Sequence, residues 1–140
     1  IKILMDYFKH PEREFKHLLT IPFIWALLGP ILIIDLFFEL YHSFCFPVYG
    51  IKKVDRSKYI KIDRHKLEYL DIKQKLNCIY CGYANGVLNY TSAIGAATEK
   101  YWCGIKHKSD KEFIEPKYHQ DFLEYGDQES YEEEREKSAE

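Results

Sequence analysis

The feature that most constrains this chain is a run of 17 residues without a charge, Leu18 to Ile34. It continues through Leu36, Phe37, Phe38, Leu40, Phe44 and Phe46, and only Asp35, Glu39 and His42 interrupt it. A 140-residue chain has little other material with which to cover so apolar a segment, so membrane association is expected ahead of a buried helix in a soluble core. As a helix rising about 1.5 Å per residue the uncharged run reaches roughly 25 Å, short of a hydrocarbon core of about 30 Å unless Leu36 to Phe38 are added. Pro22 and the Gly29–Pro30 pair lie inside the run and predict a bend, which leaves a single crossing and a re-entrant dip both open.

Asp35, Glu39 and His42 stand at helical offsets that place them within about 60° of one another on one face. Such a face could hold a cation or relay a proton, because ionisable groups in an apolar segment are costly to keep. The plainer expectation is that they reach headgroup water at the end of the run. Glu14-x-x-His17 and Glu39-x-x-His42 also repeat the spacing that di-iron carboxylate bundles take from two helices. The enzyme alternative is therefore a carboxylate/histidine iron site around Glu14, His17, Asp35, Glu39 and His42, with redox chemistry on a lipid or quinone-like substrate. The spacing is short enough to recur by chance, and an enzyme is not the favoured reading.

The net charge of −2 hides a strong segregation. Residues 50–108 carry 12 basic and 5 acidic groups, whereas 109–140 carry 4 basic and 12 acidic. Lys9, Arg13 and Lys16 precede the apolar run, and the denser Lys52, Lys53, Arg56 and Lys58 follow it. The positive-inside tendency then expects a cytoplasmic C-terminal part. Lysines directly after such a segment are attracted to anionic lipid headgroups, so lipids are the expected partner and nucleic acid is not, despite Tyr59 and Tyr69 among the basic residues. The chain opens at Ile1, so an upstream segment is expected.

Alternation over Ser57 to Asp63 predicts a short strand, and apolar spacing from Arg64 to Leu76 predicts an amphipathic helix that stops at Asn77. Cys78-Ile79-Tyr80-Cys81-Gly82-Tyr83 and then Cys103-Gly104-Ile105-Lys106-His107 follow. Two thiolates two residues apart can turn around one ion, and three thiolates with an imidazole are a common structural zinc set. The candidate metal ligands are Cys78, Cys81, Cys103 and His107, with zinc as the expected cofactor and iron as the alternative. A redox dithiol and inert buried thiols are the competing readings. Between the two pairs a helix over Ala84 to Trp102 is expected to open at Asn85–Gly86. If it persists, Glu99 could approach the same ion, although an exposed glutamate is the simpler expectation. His10, His65 and His119 have no partner at ligand spacing and are expected at the surface or hydrogen-bonded.

The run C-x-x-C-G-Y resembles the metal knuckle of rubredoxins and zinc ribbons. The resemblance implies that Cys78 and Cys81 form a ligand pair with Gly82 as the turn glycine. Asp63 to Leu67, Leu76 to Cys78 and Tyr101 to His107 further resemble an uncharacterised family of small bacterial membrane-associated proteins, which implies no activity.

Together these features predict a mainly α fold, with a bent apolar N-terminal helix and a small metal-stabilised helical domain holding a short strand. Three parts are expected: a membrane-associated segment over 1–50, a basic metal-binding mini-domain over 51–108, and an acidic, partly disordered tail over 109–140. The expected task is that of a membrane-associated accessory or scaffolding protein with a structural zinc ion and a membrane-protein partner. Four cysteines without a signal pattern favour a reducing compartment.

Overall fold

The computed structural model describes residues 13–138, with the side chain of Glu14 outside the description. His10, Lys9 and the last two residues of the acidic tail also lie outside it. The described chain is mainly helical: α1 spans Glu14–Ala26, α2 Leu28–Tyr49, α3 Ile72–Trp102 and α4 Gln128–Lys137.

The bend expected in the apolar run falls at Leu27, between α1 and α2. Pro30 explains its place: a proline has no N–H to give to the carbonyl four residues back, and here that carbonyl is Ala26, the last residue of α1. α2 ends on Gly50 in the left-handed conformation at φ 68°. Ile51 N–H donates to Phe46 O at 3.0 Å and Gly50 N–H to Pro47 O at 3.3 Å, the paired bonds of a Schellman stop.

No strand forms over Ser57 to Asp63. Residues 56–58 make a 3-10 turn, and the chain beyond it to Asp63 is irregular, without a ladder partner. The only β-bridge among the described residues is the isolated pair Ile105 and Leu123. The helix expected from Arg64 is a three-residue 3-10 turn, and α3 starts only at Ile72. The reason is a reciprocal cap. Gln74 N–H donates to Asp71 Oδ1 at 2.8 Å while Asp71 N–H donates to Gln74 Oε1 at 3.0 Å. Neither Asn77 nor Asn85–Gly86 interrupts α3.

The chain forms two compact units, one ending at Thr91 and the other beginning at Ser92. In the first, α2 and α3 run in the same direction, because Tyr80 meets Ile24, Tyr83 meets Asp35 and Tyr90 meets both Glu39 and His42. The segment 54–62 returns between them. Val54 lies against His42 and Arg56 against Asp35, and the backbone from Tyr59 to Ile62 crosses Gly86 and then Gly82. A Cβ on Gly86 would stand 2.9 Å from Ile60 Cα, and one on Gly82 would stand 3.0 Å from Lys61 O. These two glycines, one turn apart on α3, form the groove that admits the return segment. Ile31, Ala84 and Val87 form the apolar core there, with Ile60, Tyr80 and Tyr83 packed on it.

In the second unit α3 ends before Gly104, which takes φ 61°. Lys106 N–H donates to Leu123 O and Leu123 N–H to Gly104 O, each at 2.8 Å, closing the loop between them. His119 is the centre of this small core at 1% exposure, stacked on Phe122 at 4.8 Å. The tail from Gln128 is the solvated helix α4, started by Asp127, whose carboxylate accepts from Ser130 N–H.

Candidate functional site

The inward face of α2 carries Ile31, Asp35, His42 and Phe46, a helical stripe in which two of four residues are ionisable. Asp35 is 9% exposed and His42 3%. Neither reaches outward to headgroup water. Three residues that sequence reasoning did not single out meet this face: Arg56 from the return segment, and Tyr83 and Tyr90 from α3.

Arg56 grips Asp35 with both arms of its guanidinium, Nη1 to Oδ1 at 2.5 Å and Nη2 to Oδ2 at 2.7 Å. Its Nη1 also lies 3.8 Å from Glu39 Oε1, and its guanidinium sits 5.3 Å from the centre of the Tyr90 ring. The planar fork of arginine suits this paired geometry, which a lysine could not reproduce. Tyr83 donates its hydroxyl to Asp35 Oδ2 at 2.7 Å. The site thus holds two carboxylates and one fixed cation.

The hydrogen-bond chain around His42 fixes its tautomer. Val54 N–H donates to His42 Nε2 at 2.9 Å, and a backbone amide can only donate, so Nε2 carries no proton. The neutral ring then holds its proton on Nδ1, which faces Tyr90 Oη at 3.1 Å. Tyr90 in turn donates to Glu39 Oε1 at 2.5 Å. Every donor in this path has one acceptor, running from Val54 through His42 and Tyr90 to Glu39. Among the described residues no atom of the cluster is a buried polar atom without a partner.

The electrostatics follow from the packing. Burial, and next the hydrogen bond to Asp35, push the Tyr83 hydroxyl up to about 12. Burial and the Glu39 hydrogen bond raise Tyr90 as well. The Asp35 carboxylate holds Arg56 more firmly protonated than usual. Chemically the arrangement is a charge clasp with an oriented hydrogen-bond relay beside it. Both nitrogens of His42 and Oε1 of Glu39 are engaged by protein partners. His17 lies half-buried on α1, where its carbonyl accepts from Thr20 Oγ1 at 2.7 Å.

Comparison with known proteins finds no matching family model, no matching curated protein and no matching solved structure.

The resemblance to a rubredoxin or zinc-ribbon knuckle, and to a family of small bacterial membrane proteins, is corrected on two findings: no family model matches, and the described residues contain no group of three or more histidine, cysteine or acidic side chains placed to hold a metal ion. The physical reason is local. Cys78 and Cys81 lie inside α3, one turn apart, where a knuckle needs a loop that turns back on itself. α3 continues as helix beyond Cys81 to Trp102. Gly82, assigned to the knuckle turn, instead makes room for Lys61 and Ile62. All four cysteines are free thiols, with Cys103 exposed.

The remaining expected ligands sit in the second unit. The His107 ring packs 5.3 Å from that of Phe113 and 5.7 Å from that of His119. Glu99 accepts from the Tyr118 hydroxyl at 3.0 Å and lies 3.2 Å from His119 Nε2. His119 is therefore a core residue and not the surface residue expected, and neither of its ring nitrogens makes a well-formed hydrogen bond. His65 is half-buried, with Nδ1 unpaired.

Proposed function

We propose that this chain is a membrane-associated accessory or scaffolding protein, attached through the outward face of α1 and α2. One observation carries the reading: α2 is patterned inside out for a protein in water. Its ionisable residues Asp35 and His42 are turned in, while Phe37 is 65% exposed and Val48 81% exposed, with Ile33, Leu36 and Phe44 exposed as well. Phe15–Tyr49 is long and apolar enough to cross a membrane by length and composition. A soluble helix buries such side chains, whereas a helix in lipid turns its ionisable groups toward protein partners.

In this reading the cluster around Arg56 is what lets an ionisable helix face lie beside lipid. It neutralises one carboxylate with a matched cation and satisfies the other with a tyrosine, so the soluble part is fastened to the apolar part by polar bonds. The lysines after α2 favour the cytoplasmic side for that part. A membrane-protein partner would complete the accessory role.

Flotation with phospholipid vesicles tests the proposal. The chain should rise with the vesicles, and Phe37→Glu with Phe44→Glu should leave it at the bottom, because neither side chain contributes to the buried core. A chain that stays monomeric in water without lipid or detergent, or a double variant that floats unchanged, overturns it.

A further inference from the structure

We infer that α2 lies along one leaflet of an anionic membrane instead of crossing the bilayer. The inference rests on the membrane reading above and deepens it. The decisive geometry is the course of the return segment. α2 and α3 are parallel, so the chain must travel back beside α2 before α3 can begin, and from Val54 to Ile62 it does so with no α-helix and one short 3-10 turn at 56–58.

That return segment is charged. Arg56 stands level with Asp35 and Glu39, in the middle of α2, and exposed Lys58 and Lys61 follow it in sequence. Were α2 upright in a bilayer, these lysines and an open stretch of backbone would sit at hydrocarbon depth. Each charge at that depth costs about 3 kcal/mol, and unpaired backbone facing acyl chains is not tolerated there. With α2 parallel to the surface both costs vanish. Its apolar stripe enters the acyl region by about 5–10 Å, and the return segment, packed on its opposite side, falls at headgroup level.

The charge at that level fits anionic lipid. Arg56 is engaged by Asp35, and Lys61 lies 3.5 Å from Asp63. Lys52, Lys53, Lys58, Arg64 and Lys66 are exposed and form no ion pair among the described residues. Basic side chains near such a surface contribute about 1 kcal/mol each and lose effect with added salt. Tyr69 and Ile72 are exposed beside them, suited to the same interfacial layer.

The test is the sidedness of two exposed positions beyond opposite ends of α2, Lys53→Cys and Lys73→Cys. Each full-length variant is expressed, its membranes are sealed in either orientation, and a membrane-impermeant maleimide is added, with the labelled peptide identified by mass spectrometry. The expected result is labelling of both positions from one side and of neither from the other. Labelling of the two from opposite sides overturns the in-plane placement while leaving membrane association intact. Recovery of both variants and the unsubstituted chain in the soluble fraction overturns the membrane reading itself. Flotation should also fall at least tenfold when anionic vesicles are replaced by wholly zwitterionic ones, and equal flotation on both would remove the headgroup part of the inference.

Discussion

Arg56 and Asp35 meet through two parallel contacts at 2.5 and 2.7 Å, across 21 residues of sequence, and this pair joins the apolar helix to the rest of its unit. Arg56 retains 37% of its side-chain surface in solvent and Asp35 12%, so solvent screens the pair in part. Breaking a wholly buried pair costs about 3–5 kcal/mol, and an exposed one under about 1. Arg56→Met should therefore destabilise by about 2 kcal/mol in denaturant titration. Asp35→Asn combined with it should cost less than the sum of the singles, because the second change removes a carboxylate already left without its cation. Additive losses would show that the two residues do not act as a pair.

Two glycines of α3 should respond to alanine in opposite directions. Gly86→Ala places a methyl 2.9 Å from Ile60 Cα and 3.0 Å from Tyr59 O, so backbone must move, at a cost of about 1–3 kcal/mol. Gly95 has nothing within 4 Å, and Gly95→Ala should raise stability by up to about 1 kcal/mol through helix propensity alone. Thermal melts of the two variants check this, and a destabilised Gly95→Ala with an unaffected Gly86→Ala would refute the return-segment groove.

The Tyr83 hydroxyl gives an alkaline signature. Its folded value of about 12 lies above the ordinary value of about 10, so the folded state holds the proton more tightly. The resulting stability is fully present below about pH 10 and is lost as pH rises toward 12. Tyr83→Phe should flatten that alkaline decline while Tyr90 retains its share. Equal steepness in the parent and the variant would show that Tyr83 is not held this way.

The helical placement of Cys78 and Cys81 makes a prediction about metal. Treatment with a strong chelator should leave the melting temperature unchanged, and Cys78→Ser should cost no more than about 1 kcal/mol, as expected for a half-buried thiol without a ligand role. A drop of many degrees on chelation would restore a structural ion.

The bend was legible in the sequence because Pro30 acts on its own helix, and the shared face of Asp35, Glu39 and His42 was legible because periodicity is local. Their partners were not. Arg56 is one basic residue in a basic stretch, and nothing before folding distinguishes it from Lys53 or Lys58. The start of α3 could have been read from Asp71-x-x-Gln74, but the leucine spacing at Leu67 and Leu70 pointed to an earlier start. A C-x-x-C pair is ambiguous by geometry, since residues three apart also share a helix face. Gly82 and Gly86 looked like turn residues because a close approach of distant backbone leaves the same sequence mark as a turn.

The central claim is that the outward face of α2 meets acyl chains while its inward face meets protein. Nitroxide labels at Ile33→Cys, Phe37→Cys, Phe44→Cys and Val48→Cys, read by spin-label accessibility in vesicle-bound protein, test it most directly. All four should collide readily with oxygen, which concentrates in lipid, and hardly at all with a water-soluble relaxation agent. Ready collision with the water-soluble agent, or shielding from both, would contradict the account.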